Sequence, residues 1–321
     1  MGAMTIKTIL LKNFKQFEHL TISCRALNVL VGPNNAGKST ALDALRICSD
    51  VLRFMKRRRP TLQSQDGFGV VATFQIDESS ISIPTTNIVR DYGDDEAKVI
   101  IIHENGNELH VLLHPDKPII SFLSVKGPIP RSADQIRRSF PVNILVVPTL
   151  GPFESRENFV TDDTVRKNEG GRLAHRHFRN IWHRKTDEEF DEFSQFIGQS
   201  WPGVTISKPS VVTGLPSTVE MYFSEDRRER EVAWSGFGFQ IWMQIITHIL
   251  RGNKEAILVL DEPDIYLHPD LQRKLMGIVS GRFGQVFIAT HSAEIINRPV
   301  AEVGASRRWA GLNEGDSPVT G

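Results

Sequence analysis

The stretch "LNVLVGPNNAGKSTALDALRI", from Leu27 to Ile47, decides which fold to expect. A short apolar strand runs into a glycine-containing loop, and a segment with apolar residues at helical spacing follows. The loop matches the pattern G-x-x-x-x-G-K-[ST] without a gap, with Gly32, Gly37, Lys38 and Ser39 at the fixed positions. Strand, loop and helix in this order predict a phosphate-binding loop.

The chemistry of this loop points to a nucleotide. Its glycines let backbone amides curl around phosphate oxygens, and the start of the helix adds partial positive charge. Lys38 is expected to reach the β- and γ-phosphates, and Ser39 to bind Mg²⁺. A chance glycine-rich turn is the alternative. The residues predicted to bind ATP here are Asn34, Asn35, Gly37, Lys38, Ser39 and Thr40.

The composition excludes several classes of protein. The chain has 321 residues, which is room for one large domain or a domain with insertions. Its formal net charge is +0, so nucleic-acid binding has to come from a local patch. Two cysteines build no disulfide framework and fit a reducing cytoplasm. No apolar run approaches the roughly 20 residues that span a bilayer, so we expect a cytoplasmic protein without a membrane partner.

A second apolar strand, in "AILVLDEPD", ends in two acids, Asp261 and Glu262. Ligands of α/β sheets bind at the carboxyl ends of strands. Asp261 is therefore predicted to hold Mg²⁺, directly or through water, and Glu262 to polarise the water that attacks the γ-phosphate. Two solvated acids at a strand end are the alternative. For Asp264 and His268, which follow, dimer contacts and capping of the next helix are both open.

Two glycines lie where a second helix begins, in "SGFGFQ" from Ser235 to Gln240. Glycines at this place let the amides of a helix N-terminus approach a phosphate. A glycine-rich helix entry used for packing is the alternative. A further apolar strand, in "IATHS", ends close to His291.

The order of these elements resembles the head of ABC-type ATPases, with Walker A, signature, Walker B and switch histidine. The resemblance implies ATP and Mg²⁺ as cofactors and Glu262 and His291 as catalytic residues. It also implies that the signature works across subunits and faces the γ-phosphate of ATP held by a second copy, with Ser235 donating a hydrogen bond. The signature residues are Ser235, Gly236 and Gly238.

Three further segments narrow the group of proteins that the chain resembles. The start "IKTILLKNFKQF" resembles the first strand of SMC, RecF and OLD-family heads. "DEPDIYLHPDLQRKL" and "ATHSAEIIN" resemble AAA-15/AAA-21 type ATPases of the OLD (overcoming lysogenization defect) group. The resemblance covers roughly Thr5 to Asn297. The sequence has no clear Q-loop glutamine after the strand "VNILVVP", and Glu154 or Glu157 is the candidate substitute.

Proteins of the OLD group usually continue into a Toprim nuclease domain, whose chemistry needs a Glu and a D-x-D pair that hold metal. Here the chain stops shortly after Asn297. Either this is a separate ATPase head or subunit, or the chain is truncated. We expect no metal-dependent nuclease activity from this chain alone.

The expected fold class is α/β, a P-loop NTPase with an ABC-ATPase-like head. A mostly parallel central sheet is expected, with an antiparallel β subregion and a helical insertion. The predicted units are residues 1–154, the N-terminal lobe with Walker A; 155–201, a helical arm; 202–298, the C-terminal lobe with signature, Walker B and switch histidine; and 299–321, a tail that is flexible or truncated.

The predicted insertion carries basic and aromatic residues together in "RLAHRHFRNIWHRK", from Arg172 to Lys185. Basic residues interleaved with Phe178 and Trp182 could contact nucleic acid or a partner. We favour an amphipathic arm that packs on itself or on a second subunit and serves dimerisation, because phenylalanines continue the apolar face. These are Phe190, Phe193 and Phe196.

Together these features predict an ATPase that forms a head-to-head homodimer around Mg²⁺-ATP. Its cycle is expected to regulate a DNA-related activity in phage defence or repair, with DNA and a separate effector such as a nuclease as partners. The alternative is a nucleotide-gated scaffold that assembles an effector with little turnover.

The loop assignment makes a direct prediction about Lys38. The Lys38→Ala variant should bind ATP at least about tenfold more weakly, because it loses the charged hydrogen bonds to phosphate. Titration with a fluorescent ATP analogue measures the affinity, and circular dichroism checks that the fold survives. Equal ATP affinity in both proteins would contradict the assignment.

Overall fold

The computed structural model describes residues 5–33, 35–84, 88–93, 95–147, 150–168, 174–296 and 309–311. The strands in these ranges are β1 Ile6–Phe14, β2 Phe17–Ser23, β3 Leu27–Val31, β4 Thr61–Gln65, β5 Gly69–Ile76, β6 Ala97–His103, β7 Glu108–His114, β8 Lys117–Ser124, β9 Asn143–Val147, β10 Glu157–Asn158, β11 Val204–Ile206, β12 Ser210–Val212, β13 Thr218–Glu220, β14 Tyr222–Glu225, β15 Arg228–Glu231, β16 Ala256–Asp261, β17 Gln285–Ala289 and β18 Trp309–Gly311. The helices are α1 Lys38–Met55, α2 Ala133–Ser139, α3 Asp162–Asn168, α4 Phe178–His183, α5 Asp187–Ser200, α6 Phe237–Leu250, α7 Pro269–Arg282 and α8 Ala293–Ile296.

A parallel sheet with the strand order β18–β3–β17–β16–β9 forms the centre of the molecule. Its central strands are short apolar runs, which is typical of strands covered on both faces. In β16, Ile257 and Val259 point into one hydrophobic core, while Leu258 and Leu260 point into another. The two-residue period of a strand therefore gives this sheet a core on each face.

Helix α1 lies in the first core, between the parallel sheet and a second sheet. That second sheet is antiparallel and has the order β2–β1–β6–β7–β8–β5–β4. Most residues of α1 are buried, and its apolar side chains pack against both sheets. Because α1 is fixed along its length, the loop that starts it is also fixed.

The second core covers the other face of the parallel sheet. Helix α6 is its centre, with the fully buried Trp242, and α4, α5 and α7 pack around it. Segments close to these helices in the sequence form two small antiparallel sheets, β10–β13–β12 and β11–β14–β15. Within the described part of the chain, no helix is long and apolar enough to cross a membrane.

The expected fold class is confirmed, with a parallel central sheet, an antiparallel region and inserted helices. The predicted insertion, residues 155–201, contributes Phe178, Trp182 and Phe193 to the second core, where all three side chains are buried. Helices α4 and α5 of this insertion thus pack on α6 of the same chain. Buried rings cannot stack on bases, which removes the aromatic part of the nucleic-acid alternative.

The two-core arrangement predicts a large effect for truncation in β16. Leu258→Ala should lower the free energy of unfolding by about 2–5 kcal/mol, because it leaves a cavity between the sheet and α6. Leu62→Ala, at a position that is 42% exposed, serves as control and should cost less than about 1 kcal/mol. Denaturant unfolding measures both, and similar losses in the two variants would contradict the buried position of β16.

Candidate functional site

The phosphate loop packs against the hairpin formed by β1 and β2. Gly37 caps α1 in the left-handed region, with φ 88°, which favours glycine. A Cβ at this residue would lie 2.1 Å from Cζ of Phe17, so the ring occupies the space of the missing side chain. Gln16 Nε2 donates to the carbonyl oxygen of Asn35 at 3.1 Å. Asn34 lies outside the described residues.

Lys38 is buried at the start of α1 and faces its own loop. Its Nζ donates to the carbonyl oxygens of Gly32 at 2.8 Å and Pro33 at 3.0 Å, and the residue is only 5% exposed. Its ammonium is thus held inside the curve of the loop, as expected for a group that binds phosphate. Ser39 is exposed and Thr40 is buried, so the Ser39 hydroxyl is the accessible one of the two.

Strand pairing brings the acidic strand end to the same edge as the loop. Ala289 of β17 is paired with Asp261 of β16 on one side and with Leu30 of β3 on the other. Because strands are spaced about 4.8 Å apart, Asp261 lies about 10 Å from the end of β3. The residues predicted to bind phosphate and Mg²⁺ therefore share one edge of the sheet.

A network of buried ion pairs connects α1, the end of β16 and the turn after β1. Arg46 of α1 donates from Nη2 to Oδ2 of Asp261 at 2.8 Å, and from Nη1 to Oδ1 of Asp43 at 2.8 Å. The other oxygen of Asp43 accepts from Nζ of Lys15, in the turn after β1. Asp43, Arg46 and Asp261 are each less than 10% exposed. Sheet, helix and hairpin are thus connected through paired charges.

Sequence reasoning missed Arg46 and Asp43. The available signal was that both lie in the otherwise apolar helix "ALDALRI", three residues apart and on one face. Their partner Asp261 is far away in the chain, so the sequence pattern does not indicate the pairing.

Glu262 and His291 come together at the same edge. Glu262 follows β16 with φ 49°, a strained value for a residue other than glycine, and its amide donates to the carbonyl oxygen of Ala289 at 2.8 Å. The left-handed backbone turns the chain sharply after Asp261. Oε1 of Glu262 lies 4.0 Å from Nε2 of His291, and both side chains are partly exposed. They are therefore accessible to a ligand at this edge.

The two residues left open after this strand have local partners. Oδ1 of Asp264 accepts a hydrogen bond from the hydroxyl of Thr290, the residue after β17. His268 is the N-cap of α7, and its Nδ1 accepts from the amide of Asp270 at 3.4 Å. The capping interpretation is thus present in the structure for His268.

The predicted signature begins α6, but its glycines have different surroundings. Gly236 is the N-cap, and a Cβ there would meet nothing within 4 Å, so its backbone is open to a ligand. At Gly238 a Cβ would lie 2.8 Å from the carbonyl oxygen of Tyr266, so this glycine permits close packing on the loop after β16. The hydroxyl of Ser235 donates to the carbonyl oxygen of Val232 at 2.7 Å.

The candidate Q-loop substitutes have structural partners. Glu154 pairs with Arg176 at the surface, at 3.2 Å. Glu157 is 3% exposed, and its two oxygens accept from the backbone amides of Arg179 at 3.0 Å and Asn180 at 2.7 Å. Burial raises the pKa of Glu157, while these hydrogen bonds and the Arg179 guanidinium act to lower it. Glu157 therefore fastens the start of α4 and is not free to contact a nucleotide.

The set of donors at this edge suits a magnesium-bound nucleoside triphosphate. The loop amides and the Lys38 ammonium match phosphate oxygens. The Ser39 hydroxyl and an Asp261 carboxylate oxygen are the hard oxygen ligands that Mg²⁺ prefers. Glu262 and His291 are the partly exposed acid–base groups beside them.

Comparisons with known proteins agree with this geometry. A model of the AAA_21 family, described as "AAA domain, putative AbiEii toxin, Type IV TA system", matches residues 27–297. No curated protein matches the chain. Among solved structures, the chain is similar to the SMC head bound to the C-winged helix domain of ScpA, with 16% identity, a TM-score of 0.52 and 91% of each chain covered.

Two other solved structures are also similar. The recombination mediator protein RecF with ATPrS, from the RecFOR pathway, has 11% identity and a TM-score of 0.52 over 92% of this chain and 94% of that one. The SMC head domain from Thermotoga maritima has 18% identity and a TM-score of 0.45 over 92% of each chain. The SMC–ScpA and RecF matches show that the fold is that of an SMC or RecF head.

The buried charge chain predicts that Arg46 is essential for the integrity of the site. Arg46→Met leaves two buried carboxylates without their shared counter-ion and should lower the free energy of unfolding by about 3–5 kcal/mol. The matched control is Arg137→Met, because Arg137 makes an i,i+3 pair with Asp134 on α2 in which both side chains are more than half exposed.

The control should cost less than about 1 kcal/mol. Denaturant unfolding of both variants decides the matter. Equal losses in the two would mean that the Arg46–Asp261 contact is not formed as described.

Proposed function

Because the chain belongs to the AAA_21 family, we propose that it is an ABC-type ATPase that binds and hydrolyses Mg²⁺-ATP as a homodimer. Each ATP is held by the phosphate loop of one chain and contacted by the signature of the other. The narrower assignment to the OLD group is part of this proposal.

The position of two helix N-termini carries the proposal. Helix α1 begins at the phosphate loop in the first core, and α6 begins at the signature in the second core. Gly238 packs on Tyr266 just after β16, so α6 also begins at the carboxyl edge of the sheet. Layers of secondary structure stack about 10 Å apart, so the two helices lie about 20 Å apart on opposite faces. One γ-phosphate can therefore contact both the start of α1 and the start of α6 only when that α6 belongs to a second chain.

An exposed aromatic surface around the signature supports association. Trp234 is 79% exposed, Phe237 53% and Tyr266 58%. The rings of Phe237 and Tyr266 are in contact, with centroids 5.8 Å apart. Large apolar side chains grouped beside a binding site are typical of a surface that a partner covers. The second copy of the chain is the partner that the proposal requires.

The residues divide the work of hydrolysis between them. Lys38 and the loop amides bind the phosphates, and Ser39 and Asp261 would hold Mg²⁺, which would neutralise charge on the phosphate oxygens. Arg46 orients the Asp261 carboxylate through its buried hydrogen bond. Glu262 accepts a hydrogen bond from the attacking water and turns it towards phosphorus, and His291 assists from the neighbouring strand end.

The biological part of the proposal is regulation of a DNA-related activity, in phage defence or DNA repair. The family description names a toxin of a toxin–antitoxin system, and RecF, which shares the fold, is named a recombination mediator. DNA and a separate effector such as a nuclease are the proposed partners. ATP turnover measured with and without DNA separates this function from that of a scaffold with little turnover.

The proposal makes a paired prediction for Glu262 and Ser235. Glu262→Gln keeps the shape of the side chain but removes its charge and basicity, so it should bind ATP, lose turnover by at least about 100-fold and accumulate as an ATP-bound dimer. Adding Ser235→Arg should disperse that dimer, because the larger side chain blocks the approach of the helix end to the opposing phosphate. Light scattering with ATP and with ADP measures association.

An arginine substitution at an exposed position away from the signature, Val212→Arg, serves as the control for added charge. It should leave ATP-driven association unchanged. Association of the Glu262→Gln/Ser235→Arg protein to the same extent as Glu262→Gln would rule out the contact across subunits.

A further inference from the structure

Arg179 belongs to the basic segment of the insertion, yet the structure buries it almost completely. The residue is 1% exposed, and its guanidinium lies between two glutamates. Nε donates to Oε1 of Glu231 at 2.7 Å, and Nη1 donates to Oε2 of Glu157 at 3.3 Å. Nη1 also donates to the carbonyl oxygen of Glu154 at 3.1 Å. These contacts join α4, the segment after β9 and the end of β15.

Glu231 transmits this contact to the signature. It ends β15 and caps the 3-10 turn Val232–Trp234, where its second oxygen accepts from the amide of Ala233 at 2.7 Å. Ser235 and Gly236 follow this turn directly. One carboxylate therefore binds Arg179 on one side and the turn that presents the signature on the other.

A second buried side chain holds the same turn from the helix side. Gln240 of α6 is 1% exposed, and its Nε2 donates to the carbonyl oxygens of Ala233 at 3.1 Å and Ser235 at 2.8 Å. Its Oε1 accepts from the amide of Phe153 at 2.7 Å. The backbone from Glu231 to Ser235 is thus fastened at both ends to the segment that follows β9.

Helix α4 is itself fixed on the signature helix. The indole nitrogen of Trp182 donates to the hydroxyl of Thr247 on α6 at 2.9 Å, and both residues are buried. Arg179 and Trp182 lie three residues apart, on neighbouring positions of one helix face. The Arg179 guanidinium, which binds Glu231, therefore lies on a helix that is packed against α6.

We infer that Arg179 is a positioning residue that fixes the Ser235–Gly236 helix end for contact with the ATP of a second copy. The inference rests on the proposed function. A buried ion pair adds little net stability compared with apolar packing, but its directional hydrogen bonds specify geometry. One such bond holds Glu231, and hence the signature turn, while two others hold the guanidinium against Glu157 and the carbonyl oxygen of Glu154.

The test compares two kinds of binding in the Glu262→Gln background. Arg179→Met should weaken ATP-driven association at least about tenfold, since it removes charge-assisted hydrogen bonds that hold the turn. Binding of a fluorescent ATP analogue to the phosphate loop should change less than about twofold, because the loop lies in the other core. Arg179→Lys keeps the charge without the fork and should restore association in part.

The matched control is Arg176→Met. Arg176 is one helical turn earlier, 55% exposed, and paired with Glu154 at the surface. It should leave both readouts unchanged. Equal association of the Arg179→Met and Arg176→Met proteins with ATP would overturn the inference, as would a matching loss of analogue binding, which indicates general damage to the fold.

A milder variant decides the matter if Arg179→Met fails to fold. Glu231→Gln removes the charge that Arg179 binds and places an amide group opposite a donor, so it should lower association while thermal stability stays near that of the parent. Unchanged association would overturn the inference. If Glu262→Gln itself does not associate with ATP, the proposed function fails as well; if it associates and only the Arg179 and Glu231 variants show no effect, the inference fails alone.

Discussion

The burial of α1 between two sheets is the constraint on which the site depends. The helix begins at the phosphate loop and passes through the first core, so it cannot shift without opening both sheets. A charged side chain that such a helix buries has to be paired or hydrogen-bonded. Asp43 and Arg46 meet this requirement by bonding to each other, to Lys15 and to Asp261. The packing of one helix thereby sets the position of the acidic strand end relative to the loop.

Much of the fold and part of the candidate site could be predicted because the signals are local. The phosphate loop needs only its own glycines, Lys38 and the flanking strand and helix. The strand ending at Asp261 is an apolar run with acids at its end. Each of these patterns can be recognised within a few residues. The alternation of strands and helices along the chain predicts a parallel sheet.

The remainder depends on contacts between distant segments. Arg46 binds a carboxylate from another strand, and Gly238 is small because a carbonyl oxygen of Tyr266 lies against it. Arg179 looks like part of a solvated basic face and is instead buried between two glutamates. Nothing in a single segment distinguishes a paired buried arginine from an exposed one, since the partner is chosen by packing.

In the proposed dimer, the two cores would supply two halves of one phosphate site that meet only between chains. The first core fixes the phosphate loop, and the second fixes the signature through Glu231 and Gln240. Each half is preformed, so ATP has to order little when it bridges them. The exposed rings around the signature would give the proposed contact between chains an apolar surface.

The most direct test of this account is a cross-link between two singly substituted chains. Gln16→Cys, in the exposed turn beside the phosphate loop, and Trp234→Cys, beside the signature, are each placed in Glu262→Gln and the two proteins are mixed. Burial raises the pKa of the native Cys24 thiol to about 12 and raises that of Cys48 as well, which limits their reaction. A short bis-maleimide should then join one chain to the other with ATP and much less with ADP. A yield that does not depend on the nucleotide, or no cross-link with ATP, would contradict the shared site.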